Sequence, residues 1–99
     1  MRSKYEIRAH RELEAAGYTV DYKARPFRVG HGYRVDLLGA FDLLAYKPGQ
    51  LRFVSVKAAS HGVRRAHRTV VQALVFPEGC SKEIWTFREN GTIRKEVVR

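Results

Sequence analysis

The sequence predicts one α/β domain, a central mixed β-sheet flanked by helices in the order α-β-β-β-α-β-β. Helical periodicity marks two segments, 3–16 and 63–76, and apolar or β-branched runs separated by strong turn signals lie between and after them. The 99 residues contain no linker, repeat or low-complexity tract. A chain of this length with 44% hydrophobic residues builds one core near the small end of independently stable domains. One domain over 1–99 is therefore expected, reinforced by dimerisation.

Each element has its own signal. In 3–16, Tyr5, Ala9, Leu13 and Ala16 recur at helical spacing, Ser3 and Glu6 match the S-x-x-E capping box, and Gly17 supplies a stop. Residues 19–27 mix β-branched and aromatic residues with charges and read as a strand, which the turn-rich Gly30-His31-Gly32 follows. Two apolar runs, 41–46 and 51–58, joined by Lys47-Pro48-Gly49-Gln50, form a hairpin. The helix over 63–76 places Ala66, Val70, Ala73 and Leu74 on its apolar face, carries a basic opposite face and ends at Pro77. Strands at 83–88 and 92–98 flank Glu89-Asn90-Gly91, and Asn-Gly is a strong hairpin marker.

Composition bounds the function. Nineteen Lys and Arg against ten Asp and Glu give a formal charge of +9, which favours an anionic partner, nucleic acid first. A ribosome-associated or generally adhesive basic domain has the same signature. Cys80 is the only cysteine, so an internal disulfide and a CxxC zinc framework are excluded and a reducing, cytoplasmic setting fits. No apolar run has the length of a membrane span, and Met1-Arg2-Ser3-Lys4 leads into a charged segment rather than a signal-peptide core. A soluble, unprocessed protein with no membrane partner is expected. His10, His31, His61 and His67 have neither HExxH nor zinc-finger spacing.

The candidate chemistry lies on the hairpin. Side chains of 51–58 alternate, so Leu51, Phe53, Ser55 and Lys57 share one face and Arg52, Val54, Val56 and Ala58 the other. If the turn pairs Tyr46 with Leu51, Asp42 falls opposite Ser55 and diagonal to Lys57. A carboxylate and an ammonium group ending an apolar hairpin are costly to desolvate unless they pair or meet a ligand. A plain Asp42–Lys57 ion pair is one outcome and a functional cluster the other. Glu6 lies about 20° from Leu13 on the helical wheel, at the edge of the core-facing stripe. Glu12 borders that stripe from the other side, and periodicity alone does not choose between them. Asp36, just before the Asp42 strand, is either a turn residue or a second carboxylate at the rim. Trp85 and Phe87 alternate on a strand and suit core or dimer packing.

Glu6 through Gly17 followed by a strand, then Phe41-Asp42-Leu43-Leu44-Ala45, then Phe53-Val54-Ser55-Val56-Lys57, resembles the PD-(D/E)XK nuclease superfamily over about 3–74. Within it the pattern is most similar to archaeal Holliday junction resolvases and related small phage-type nucleases. The resemblance implies a restriction-endonuclease-like fold and catalytic positions at Glu6, Asp42, Ser55 and Lys57. It also implies Mg²⁺ or Mn²⁺ held by Glu6, Asp42 and the carbonyl of Val56. Lys57 would orient or activate the attacking water. Where the family carries Glu, Asp or sometimes Gln, this chain has Ser55, a shorter and neutral ligand.

For substrate grip, Arg64, Arg65, His67 and Arg68 follow Lys57 with no acid between Lys57 and Val75, a pattern suited to phosphate contacts. Lys23, Arg25, Arg28, His31 and Arg34, interleaved with Phe27 and Tyr33, offer a second phosphate-contacting edge or an ordinary surface loop. The expectation is a Mg²⁺-dependent endonuclease on branched or otherwise structured DNA, acting as a homodimer. A nucleic-acid-binding module that lost turnover with Ser55 is the alternative. A basic assembly protein is a third reading, and it requires Asp42 paired to Lys57 with no cleft beside them.

Overall fold

The computed structural model describes residues 3–22, 27–29, 32–34, 40–60 and 65–99, with 27–29 and 32–34 described as backbone alone. Lys23, Arg25, His31, Asp36, His61 and Arg64 lie outside the described residues, as do the side chains of Phe27, Arg28, Tyr33 and Arg34.

The first helix, α1 (Lys4–Ala15), starts at an extended Ser3 whose Oγ accepts the Glu6 N–H at 3.1 Å, satisfying one of the donors a helix start leaves open. Ala16 closes it, and Gly17 at φ 94° turns the chain into β1 (Thr19–Tyr22). Of the strand expected over 19–27, the described residues 19–22 form β1, and residues 23–26 lie outside the described residues. The chain resumes as β2 (Phe27–Val29), which pairs with β3 (Gly32–Arg34) in a separate two-stranded sheet. This small hairpin is an addition to the expected order, and Gly30-His31, read as part of a turn, falls between its strands.

The predicted central hairpin is present with its predicted register. β4 (Leu43–Lys47) pairs antiparallel with β5 (Gln50–Ala58), Tyr46 opposite Leu51 and Leu43 opposite Val54. α2 (Arg65–Ala73) then carries the chain to β6 (Cys80–Phe87), which runs parallel to β5. A parallel neighbour cannot be reached by a tight turn, so the crossover is obligatory. β6 begins at Cys80, earlier than the expected residue 83, because Cys80, Ser81 and Lys82 pair with Leu51, Arg52 and Phe53. β7 (Ile93–Val97) closes the sheet, whose order is β1-β4-β5-β6-β7.

The pleat divides the core in two. Leu43, Ala45, Val54, Trp85 and Phe87 meet Ala9 and Leu13 of α1. On the other face, Phe41, Ile84 and Val98 meet Val71 of α2, with Phe53, Leu74 and Phe76 packed against them. The sheet thus carries one helix on each face. α2 sits one residue out of the phase read from its sequence: Val71 is buried, whereas Ala66 and Ala73 are exposed and Val70 is 47% exposed. The inward stripe is His67, Val71 and Leu74, at i, i+4 and i+7. Alanines bury little area, so one Val and one Leu facing Phe41, Phe53 and Ile84 outweigh the alanine-rich stripe.

Polar contacts fasten β7 to both helices. Lys95 pairs with Glu12 of α1 and lies 4.5 Å from the Trp85 ring centroid, while Glu96 takes both arms of Arg68 from α2.

Candidate functional site

One end of the sheet gathers the residues singled out in the sequence. β5 and β6 terminate there and β4 starts there. The first turn of α1 reaches it, since the Tyr5 ring stacks on Phe87, the last residue of β6, with centroids 5.2 Å apart. The start of α2 reaches it as well, because His67 meets Ser55. The opposite ends of both helices are tied elsewhere: Tyr18 bonds Gln50 beside the β4–β5 turn, and Lys82 bonds the Leu74 carbonyl. Ligands of open α/β sheets bind outside the carboxyl ends of the parallel strands, and that is this end.

Asp42 immediately precedes β4. Its N–H donates to the Val54 carbonyl at 2.9 Å, and its Oδ2 accepts the Val56 N–H at 2.6 Å. Where the β4 backbone no longer continues the ladder, a carboxylate takes the next donor of β5. The main-chain N–H and C=O of one strand residue point to the same side, so the Val56 carbonyl faces the edge on which Asp42 sits. Asp42 is 6% exposed.

Ser55 is fully buried, and its Oγ lies 3.0 Å from His67 Nε2. Ser55 and Lys57 follow the pleat of Phe53 onto the α2 side, as the alternation predicts. The Asp42 carboxylate, expected opposite Ser55 and diagonal to Lys57, is bonded to the Val56 N–H between them in sequence. Lys57 is half-buried, and among the described residues no salt bridge joins it to Asp42.

Glu6 is buried with Ala9 and Leu13 on the sheet-facing stripe of α1. Tyr5 reaches β6 at Phe87 and His10 reaches β1 at Tyr22, so Glu6 faces the middle of the sheet near this same end. Glu12 turns outward to Lys95 instead, which resolves the choice that periodicity left open. The oxygen donors at this end are thus Glu6, Asp42 and the Val56 carbonyl. Among the described residues, no group of three His, Cys, Asp or Glu side chains is gathered closely enough to hold a metal ion.

The proposed phosphate-contacting helix divides. Arg65 is exposed at the start of α2. His67 belongs to the inward stripe, which corrects its expected place on the basic outer face. Arg68 is engaged by Glu96; this hydrogen-bonded pair raises the arginine pKa and lowers the glutamate's, with burial opposing both. Arg28 and Arg34 fall on β2 and β3, opposite Tyr33 and Phe27. Arg25 and Arg64 lie outside the described residues.

A second charged cluster, at the far end of the sheet, was missed in the sequence. Arg52 forms two 2.7 Å hydrogen bonds to Glu83, which also accepts from Ser81 and from the Trp85 indole. Burial alone would raise the Glu83 carboxyl, but the bonds from Arg52, Ser81 and Trp85 outweigh it and hold it below its ordinary value. The signal was present: Arg52 shares an apolar row with Val54 and Val56, and Glu83 one with Trp85 and Phe87, so opposite charges sit in adjacent rows of one face.

In comparisons with known proteins, no protein-family model matches the chain and no curated sequence is significantly similar to it.

Proposed function

We propose that this chain is a metal-dependent endonuclease acting on DNA, branched or otherwise structured, through Glu6, Asp42 and Lys57. One observation carries the reading. The Asp42 carboxylate meets the Val56 backbone at the carboxyl end of β5, one residue before Lys57 and at the end of the sheet toward which Glu6 faces. A fold of this class serves many chemistries, so the reading rests on the site.

The donors are all oxygen, which suits Mg²⁺ or Mn²⁺ with water completing the shell. An ion bound there would supply a water of lowered pKa and offset charge on the phosphoryl oxygens. Asp42 and the Val56 carbonyl would hold it, with Glu6 joining directly or through water. Lys57, free of an ion pair among the described residues, orients the attacking water and offsets charge developing on the phosphoryl group. The test is a cleavage assay on duplex, flap and four-way DNA with Mg²⁺ or Mn²⁺. Cleavage that Asp42→Asn and Lys57→Ala each abolish, with binding retained, is the expected result. The homodimer belongs to the same proposal, and light scattering tests it.

One observation favours the second reading, a module that binds nucleic acid without cutting it. Ser55 is fully buried against His67, so a hydroxyl–imidazole hydrogen bond stands where the resembling family carries an acid. Binding to all three DNAs with no cleavage in either ion selects that reading. The third reading, a plain assembly protein, requires Asp42 paired to Lys57, and among the described residues no salt bridge joins the two.

A further inference from the structure

Lys4, Tyr5, Arg8, Glu89 and Gly91 line a cleft of about 530 Å³ between the first turn of α1 and the β6–β7 turn. That volume is within the range of small-molecule sites. Tyr5 is half-buried, with one ring face stacked on Phe87 at 27° and 5.2 Å. The Lys4 ammonium lies 5.1 Å from the same ring. Arg8 donates to the Gly91 carbonyl at 2.8 Å, and its guanidinium lies 5.6 Å from the Phe87 ring. Lys4 and Arg8 are exposed, and neither joins an ion pair among the described residues.

We propose that this cleft binds one unpaired nucleotide of a nucleic-acid strand. The base takes the place of the exposed Lys4 ammonium over Tyr5 and extends the Phe87–Tyr5 stack, and the phosphate sits between Lys4 and Arg8. A base inside a duplex is already stacked on both sides, so an aromatic platform of this kind selects an unpaired one. Lys4 at the Tyr5 ring and Arg8 at the Phe87 ring set two cations beside one aromatic stack, which matches a phosphate attached to a planar base, whereas an acidic peptide leaves the stack unused. Glu89 repels a second anion on its side of the cleft, which gives the bound nucleotide one orientation. The Glu89 carboxylate and the Gly91 carbonyl are both acceptors. The edge they face therefore favours bases that carry an exocyclic amino group over thymine and uracil.

This inference rests on the nucleic-acid partner proposed above and not on cleavage, so its test is run in EDTA on the whole chain. Fluorescence anisotropy compares labelled oligo-dC, oligo-dT and a duplex of equal length. Oligo-dC is expected to bind tightest. Tyr5→Leu weakens it about tenfold and Tyr5→Phe leaves it unchanged. Lys4→Gln with Arg8→Gln lowers the slope of log affinity against log salt by about 1. A photo-cross-link from an oligonucleotide carrying 5-iododeoxycytidine needs no variant, and its adduct is expected on Tyr5. Adducts confined to other residues overturn the proposal. So does equal binding of all three probes, or displacement of oligo-dC by an acidic peptide as effectively as by a nucleotide. Loss of cleavage in an Asp42 variant leaves each of these readouts unmoved, so the two proposals fail separately.

Discussion

Asp42 and Val56 are joined by a hydrogen bond that runs from main chain to side chain, with the Val56 N–H donating to Asp42 Oδ2 at 2.6 Å where β4 gives out. The carboxylate therefore has a structural task whether or not it has a chemical one. The two tasks separate by substitution. Asp42→Asn keeps an oxygen for the Val56 N–H and is expected to leave stability nearly unchanged while abolishing cleavage. Asp42→Ala removes the acceptor and is expected to cost about 1–3 kcal/mol as well. Urea denaturation and the DNA cleavage assay report the two effects independently.

The central hairpin was legible because the Pro-Gly turn and strand alternation specify register, and Tyr46 opposite Leu51 followed from them. The helix start was legible from Ser3. The inward face of α2 was not, because the apolar residues on its two stripes differ by one position and only the sheet decides which stripe is covered. His67 went to the wrong face for that reason. The Asp42 bond to Val56 was hidden as well, since pairing rules describe strands and not the residue beyond a strand's end.

The phase of α2 gives a second prediction. Val71→Ala removes a fully buried side chain and is expected to destabilise by about 2 kcal/mol. Val70→Ala is expected to shift stability by less than about 0.5 kcal/mol. Equal effects in thermal melts would contradict the helix orientation.

Glu83 predicts an acid dependence. Its carboxyl is held below its ordinary value of 4.5, so the folded chain binds that proton less readily than the unfolded chain. The stabilisation is complete above about pH 4.5 and declines as pH falls through the lowered folded value. Arg52→Met leaves Glu83 buried without its cation and is expected to cost about 3 kcal/mol at neutral pH. The variant then loses less than the parent on acidification, since Glu83 takes up its proton with relief of burial. Urea midpoints at neutral pH and near pH 3.5 check both signs.

Gly79 and Gly17 form a matched pair for a fourth test. Both have positive φ, +83° and +94°. A Cβ at Gly17 meets nothing within 4 Å, whereas one at Gly79 comes 3.0 Å from the Gly49 carbonyl oxygen. Gly17→Ala is expected to cost about 1–2 kcal/mol from backbone strain alone. Gly79→Ala should cost more, because Gly49 belongs to the β4–β5 turn and its backbone must shift. Thermal melts of the two variants rank them directly.

The bonds from Arg8 to Gly91 and from Lys95 to Glu12 each span 83 positions along the chain. Closures across such separations are slow, because much chain entropy is lost before the contact returns any of it. The α1 helix can coil early from its own cap and periodicity, and it packs Ala9 and Leu13 on Leu43, Ala45 and Val54 of the central hairpin. The two clasps to the β6–β7 hairpin are therefore the costliest closures it makes.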